Sequence, residues 1–516
     1  MSLARNFLFV GSGAALSRVL GFLRDILIAA TLGAGPVADA FVVAFRLPNL
    51  FRRLLAEGAM NTAFLPIYLK LRTEGGAGAA QAFAGQVFSV LALMVLASVT
   101  LAEIFMPALV HLMAPGFFAE PDQASRTILL SRLTFPFLGF SLLSAVYAAL
   151  LNGAERFFMT AFAPVLLNLV MIAMLGLALS QGFVGSLQMA VLLCAGVSLA
   201  GVFQLMSGWF YLRRAGLGFG WQGPRLSPEI RRLGLFILPG MFAGGITQIN
   251  AFVGSFIGSV RPGVVAQLYY ADRIYQLPLG IVSMALGQTL LSQIARLIAQ
   301  GDARGAVLAQ ARALEFALFL TLPAAVGLYV AANPIVSVLF ERGAFGADST
   351  LATAGALKFY ALGLPAFVMA KALQPAFFAA HQVRTPTLIA ILGAVLDVVC
   401  AYLMFASLSQ SAIALAAALA GWFNALALAA MLWRSGRLEL GRDTASHLLS
   451  LALSALVMGG VVWGLGFGLA PFLQADQSSA VKILALAGLV GGGALVFLAS
   501  CWRLGCLNGR IWQARV

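Results

Sequence analysis

Long apolar runs separated by short polar turns repeat along the whole chain. A helix rising 1.5 Å per residue needs about 20 apolar residues to cross a bilayer. The pattern predicts fourteen such spans, near residues 6–32, 38–69, 84–112, 127–151, 158–180, 185–212, 232–258, 265–298, 308–332, 352–380, 386–408, 411–433, 446–470 and 481–503. No polar stretch between them is long enough to fold as a separate soluble domain. Arg5 precedes the first run, but that run meets Arg18 and then Arg24-Asp25 with no small-residue cleavage pattern, so the first span is expected to be retained. The expected fold class is an all-α polytopic membrane protein.

Composition sharpens this. Of 516 residues, 61% are apolar and only 10% charged, with a mean hydropathy of +0.96. Soluble domains run nearer ~45–50% apolar and ~25% charged. A soluble surface cannot be built from so few polar residues, and disorder is excluded on the same ground.

The net charge of +14, from 32 Lys and Arg against 18 Asp and Glu, would suggest nucleic acid in a soluble protein. In a membrane protein the basic residues gather in cytoplasmic loops. With a cytoplasmic N-terminus, 19 basic residues fall on the cytoplasmic side. Only four, Arg126, Arg261, Arg342 and Lys482, fall opposite. The alternation predicts two cytoplasmic termini and no nucleic-acid partner. Cys194, Cys400, Cys501 and Cys506 form no CxxC pair, and His111, His381 and His447 are scattered, so no disulfide framework, metal site or cofactor is expected.

An internal repeat runs at an offset of roughly 228 residues. Arg156 matches Arg384, Asn168 falls near Asp397, and Arg46-Leu-Pro48 matches Arg273-Ile-Tyr-Gln-Leu-Pro278. Two six-helix halves in one membrane orientation follow, a transporter architecture, with two helices added. The expected organisation is a lobe over 1–215, a second over 216–440, and two further helices with a cytoplasmic tail over 441–516.

The informative residues are charges inside the spans. The first holds Ser17, Arg18, Gly21, Arg24 and Asp25; the second holds Asp39, Arg46, Asn49, Arg52, Arg53 and Glu57. Helical periodicity brings Asp39, Arg46, Arg53 and Glu57 within about 40° of one another, and Pro48 can free backbone groups. Each mid-bilayer Arg costs about 2.5–3.5 kcal/mol, and five cost roughly 13–18 kcal/mol. They must pair with acids or face a wet cavity. Asp25, Asp39 and Glu57 leave two positive charges over, which favours a dianion. Guanidinium groups grip phosphate oxygens with paired hydrogen bonds. Arg273, beside Asp272, adds a sixth in the second half. Asp397 is the leading candidate for a coupling cation, ahead of Gln248, Asn250, Glu315 and Asn424; Arg132, Lys358 and Lys371 are expected to snorkel to an interface. Gly218-Phe-Gly220-Trp-Gln-Gly223 spells GxGxxG without a preceding strand, so it is not a dinucleotide site.

Ser17-Arg-Val-Leu-Gly-Phe-Leu-Arg-Asp25, the stretch Ala38 to Ala59 (ADAFVVAFRLPNLFRRLLAEGA), and Tyr270-Ala-Asp-Arg-Ile-Tyr-Gln-Leu-Pro278 closely resemble the MurJ (MviN) family. That family flips the lipid-linked peptidoglycan precursor, lipid II, across the bacterial inner membrane, and belongs to the multidrug/oligosaccharidyl-lipid/polysaccharide exporter superfamily. The resemblance implies a transporter rather than an enzyme. Arg18, Arg24, Arg52, Arg53 and Arg273 would bind the head group in a central cavity. Ser17, Asp25, Asp39, Arg46, Asn49, Glu57 and Asp272 would line or gate that cavity. The last two spans would form a groove for the polyprenyl tail. A monomer is expected, working beside cell-wall synthesis complexes. Gly393 stands one turn before Asp397 where a ligand would help a sodium site. Sodium, protons and the membrane potential therefore all stay open as energy sources. Flipping of another polyprenyl-linked saccharide, or drug/cation antiport, are the alternatives.

Overall fold

The computed structural model describes residues 3–56, 60–235, 249–439, 441–474 and 477–506. Among the described residues every regular element is helical. The apolar runs require this, because a bilayer offers no water to unpaired backbone groups and a helix satisfies its own.

The first helices are α1 (Leu3–Leu32) and α2 (Pro36–Ala56). A π-helical turn, Met60–Phe64, leads into α3 (Leu65–Ile104). Then come α4 (Met106–Met113), a 3-10 turn at Pro115–Ala119, α5 (Pro121–Thr134), α6 (Pro136–Gly153), α7 (Phe158–Ser180) and α8 (Leu187–Arg214). The chain continues through α9 (Ile249–Gly258), α10 (Val264–Ala299), α11 (Ala303–Val330), α12 (Ala332–Phe340) and α13 (Ala347–Ala379). It ends in α14 (Arg384–Leu408), α15 (Gln410–Arg434), α16 (Arg442–Leu469) and α17 (Ser479–Arg503).

Ten helical stretches among the described residues are long and apolar enough to cross a membrane: α3, α5 running on into α6, α7, α8, α11, α13, α14, α15, α16 and α17. The chain is thus a multi-pass helical membrane protein. The other four expected spans fall on α1, α2, the partly described 232–258 segment and α10. Arg18, Arg24 and Asp25 interrupt the apolar run of α1, and Asp39, Arg46, Arg52 and Arg53 that of α2.

Two boundaries differ from the sequence expectation. Helix α2 is described to Ala56, and residues 65–69, expected in the second span, belong to α3, which starts at Leu65 rather than near 84. The polar run Lys70 to Glu74 follows the first turn of α3, largely exposed and joined by a 3.9 Å Lys70–Glu74 contact. Gly76 then breaks the helix with φ 79° and ψ 178°, a conformation open essentially to glycine alone.

The chain divides into two compact units, Met1–Ala266 with Arg342–Phe345, and Gln267–Glu341 with Gly346–Val516. In the first, α1 packs on α7, α6 and α7 on α8, and α2 on α5. Phe64, Tyr68, Phe83, Tyr147, Leu150 and Leu212 form part of its core. In the second, α13 and α14 pack on α15, α11 on α13 and α16, and α16 on α17. Alanines line the buried face of α15 and permit the close backbone approach that holds helices together in lipid. Outward faces are apolar: Tyr402, Leu403, Leu484 and Leu495 are each at least 70% exposed, as a lipid-facing surface requires.

Candidate functional site

Helix α1 is built around one buried guanidinium. Arg24 is 5% exposed and Asp25 1%. Arg24 Nε and Nη2 donate to Asp25 Oδ1 at 3.0 and 2.6 Å, and Nη1 donates to Asn168 Oδ1 on α7 at 2.9 Å. Met171 Sδ accepts at 3.7 Å, and the guanidinium lies 5.2 Å from the Phe45 ring centroid. Asn168 Nδ2 in turn donates to the Ser17 carbonyl at 2.9 Å. One buried amide thus ties two points on α1, two turns apart, to α7. Gly21 lies between them, where a Cβ would stand 3.4 Å from Asn168 Nδ2. Removing one partner from such a buried pair costs about 3–5 kcal/mol.

Helix α2 carries its polar groups to two other elements. Asp39, fully buried, accepts the backbone N–H of Gly263 at 2.5 Å and of Ala266 at 2.8 Å. These amides open α10, where unpaired N–H groups and the positive end of the helix dipole favour a carboxylate. Arg46 Nη1 donates to Ser255 Oγ on α9 at 2.9 Å. Asn49 Nδ2 donates back to the Phe45 carbonyl at 2.8 Å. Pro48 has no N–H to offer Ala44 four residues earlier; Thr134 Oγ of α5 donates to that carbonyl instead, at 2.8 Å.

The remaining candidates are more open. Arg18 and Arg53 are exposed, and Ser17 and Arg52 half-buried. Glu57 and Gln248 lie outside the described residues, as does the Asn250 side chain. In the second unit, Arg273 is half-buried and stacks over Tyr269, 4.6 Å from its ring centroid. Asp272 accepts from Gln276 Nε2 one turn on. Tyr275 is buried between Tyr360 and Phe367, at centroid distances of 5.5 and 5.9 Å. Asp397 is 1% exposed, and its Oδ1 has no hydrogen-bond partner among the described residues. Of the weaker candidates, Asn424 Nδ2 donates to Ala420 O, and Glu315 meets His447 Nδ1 at 3.3 Å. Lys358 and Lys371 are exposed on α13. Arg132 faces Glu103 at 4.0 Å.

The structure therefore gathers Arg24 and Asp25 into one buried array and sends Asp39 and Arg46 to α10 and α9. Sequence reasoning missed Asn168 as the third member of the array. Its signal was available: an amide in the apolar run of α7 needs a partner in lipid. Thr134 and Ser255 carried no such signal.

The family model described as lipid II flippase MurJ matches residues 28–471. A probable lipid II flippase MurJ from Rhizobium meliloti (strain 1021) is 41% identical over 509 residues, covering 98% of this chain and 94% of the relative. One from Rickettsia prowazekii (strain Madrid E) is 32% identical over 424 residues, 82% of each chain. A solved lipid II flippase MurJ in an inward closed conformation shares the fold with a TM-score of 0.77 at 24% identity, covering 98% of this chain and 99% of that one. A multidrug resistance MATE family transporter of the MOP superfamily, inward-facing, also shares the fold, with a TM-score of 0.64 at 15% identity over 82% of this chain and 94% of that one. The chain belongs to the MurJ lipid II flippase family.

Proposed function

We propose that this protein flips lipid II from the cytoplasmic to the periplasmic leaflet of the bacterial inner membrane by alternating access. Family membership supports the substrate. The observation that carries the chemistry is the set of accessible arginines on α1, α2 and α10, Arg18 and Arg53 exposed and Arg52 and Arg273 half-buried, with α1 anchored by the buried Arg24–Asp25–Asn168 array. The MATE likeness alone would also fit drug export, but a cavity rich in guanidinium repels organic cations and attracts pyrophosphate.

In this reading the chain crosses the membrane fourteen times, with both termini cytoplasmic. The lobes are 1–215 and 216–440, each of six helices, and 441–516 supplies two helices that hold the polyprenyl tail. Arg18, Arg24, Arg52, Arg53 and Arg273 bind the pyrophosphate and sugars. Ser17, Asp25, Asp39, Arg46, Asn49, Glu57 and Asp272 orient those arginines or line the path. The head group crosses through a wet cavity while the tail stays in lipid. A bound dianion offsets the repulsion among the arginines and so favours the loaded, closed state. Asp397 is the group through which a cation couples. The protein acts as a monomer beside the cell-wall synthesis machinery.

Depletion tests this directly. Removing the protein from its cells and measuring lipid II in each leaflet is expected to show accumulation on the cytoplasmic side and loss outside. Unchanged external lipid II would overturn the assignment.

A further inference from the structure

The GxGxxG segment Gly218–Gly223 borders a surface cavity at the end of α8. Helix α8 ends as Gly216, with φ 69°, donates to the Arg213 carbonyl and Leu217 N–H reaches Leu212 O, a glycine-terminated helix end. The chain then runs without regular structure from 217 to 227 and lies against α3, because Gly85 has no Cβ to strike Gly220 O and Gln222. A cavity of 170 Å³ opens beneath this strap. Phe88, Tyr147 and Phe219 form its wall, with ring centroids 5.3–6.0 Å apart. Arg213 lies over Trp209, 4.4 Å from its ring centroid, and Trp221 stands at the rim. Trp209 is 46% exposed and Trp221 65%, so the cavity opens outward.

The volume is below the ~300–1,000 Å³ that encloses a drug-sized molecule, so the cavity takes one end of a larger ligand. The segment 209–232 that borders it is strongly basic: Arg213, Arg214, Arg225, Arg231 and Arg232 are exposed against a single acid in that segment, Glu229. Tryptophans at the head-group level and arginines facing an anionic leaflet are the two elements of lipid-surface recognition. Stacking uses the face of the Arg213 guanidinium, whose in-plane N–H groups suit phosphate oxygens.

We propose that the end of α8 and the 217–227 strap seat an anionic phospholipid of the cytoplasmic leaflet, its phosphate on Arg213 and its glycerol end among Trp209, Phe219 and Trp221. Purified protein in nanodiscs doped with brominated phosphatidylglycerol or brominated phosphatidylcholine tests this through tryptophan quenching. The anionic lipid is expected to quench more. That excess disappears in a Trp209→Phe, Trp221→Phe variant and in Arg213→Ala, and is kept in part by Arg213→Lys. Gly85→Ala, which lifts the strap and spares Arg213, also removes it. Equal quenching by the two lipids, or an excess that survives Arg213→Ala, overturns the proposal. So does displacement by soluble polyglutamate without lipid preference, which assigns the seat to an acidic protein segment. Flipping is not read in this experiment, so its result is independent of the transport assignment.

Discussion

Arg24 on α1 and Asn168 on α7, 144 positions apart in sequence, meet at 2.9 Å inside the first unit. Asn168 also holds the Ser17 carbonyl, so the guanidinium and the helix that carries it are fixed by one amide. Asn168→Ala removes both bonds and leaves Arg24 Nη1 without its acceptor. A hydrogen bond to a charged group contributes about 1.5–3 kcal/mol. A lower Tm in detergent is expected, with Asn168→Asp falling less because it still accepts from Arg24. Equal Tm values for wild type and Asn168→Ala would contradict the array.

Asp39 is the next test. It accepts two amides that open α10, and loss of a side-chain cap costs about 0.5–2 kcal/mol. Asp39→Asn keeps an acceptor oxygen, whereas Asp39→Ala leaves both amides buried and unpaired. Thermal unfolding is expected to rank wild type above Asn above Ala. An Asn variant as damaged as Ala would mean that the charge, rather than the acceptor, is what α10 needs.

Close packing of α1 on α7 depends on Gly13, where a Cβ would stand 2.8 Å from Ala161 Cβ and 3.0 Å from its carbonyl oxygen. The backbone cannot yield as a side-chain tip can. Gly13→Val is expected to destabilise by about 1–3 kcal/mol, measured against Gly11→Val, whose site is open. Equal stability of the two variants would refute the close approach.

His447 joins three parts of the second unit. Its Nδ1 faces Glu315 of α11 at 3.3 Å, and its Nε2 lies 3.0 Å from the Cys506 carbonyl beyond α17. His447→Ala is expected to speed hydrogen exchange at the N-terminal turns of α16 and the end of α17 while leaving α15 unchanged. Uniform exchange across the three helices in both proteins would show that the contact is incidental.

The sequence was most legible where lipid imposes one rule. Apolar length alone located the ten long spans, since each must satisfy its backbone internally. The charged helices were legible by cost: Arg24 in an apolar run had to find a partner, and it did. The partner on α7 was not, because an amide 144 residues away carries no spacing signal. The wheel that grouped Asp39 with Arg46 and Arg53 described one face of α2, but Asp39 is drawn to the amides of α10 and Arg53 is exposed at the helix end. The end of the second span was not legible, because Leu65 to Leu69 extend the apolar run of α2 in composition yet belong to α3.

The central claim is that the arginines move a pyrophosphate-linked head group. Arg18 is exposed and Arg273 half-buried, and an unchanged Tm is the control that their removal leaves the fold intact. The most direct measurement is transfer of labelled lipid II across proteoliposomes by the purified wild type and by a folded Arg18→Ala, Arg273→Ala variant. At about 1.5–3 kcal/mol per charged hydrogen bond, the rate is expected to fall by about tenfold or more for each arginine lost. Wild-type transfer by the double variant, with an unchanged Tm, would contradict the account.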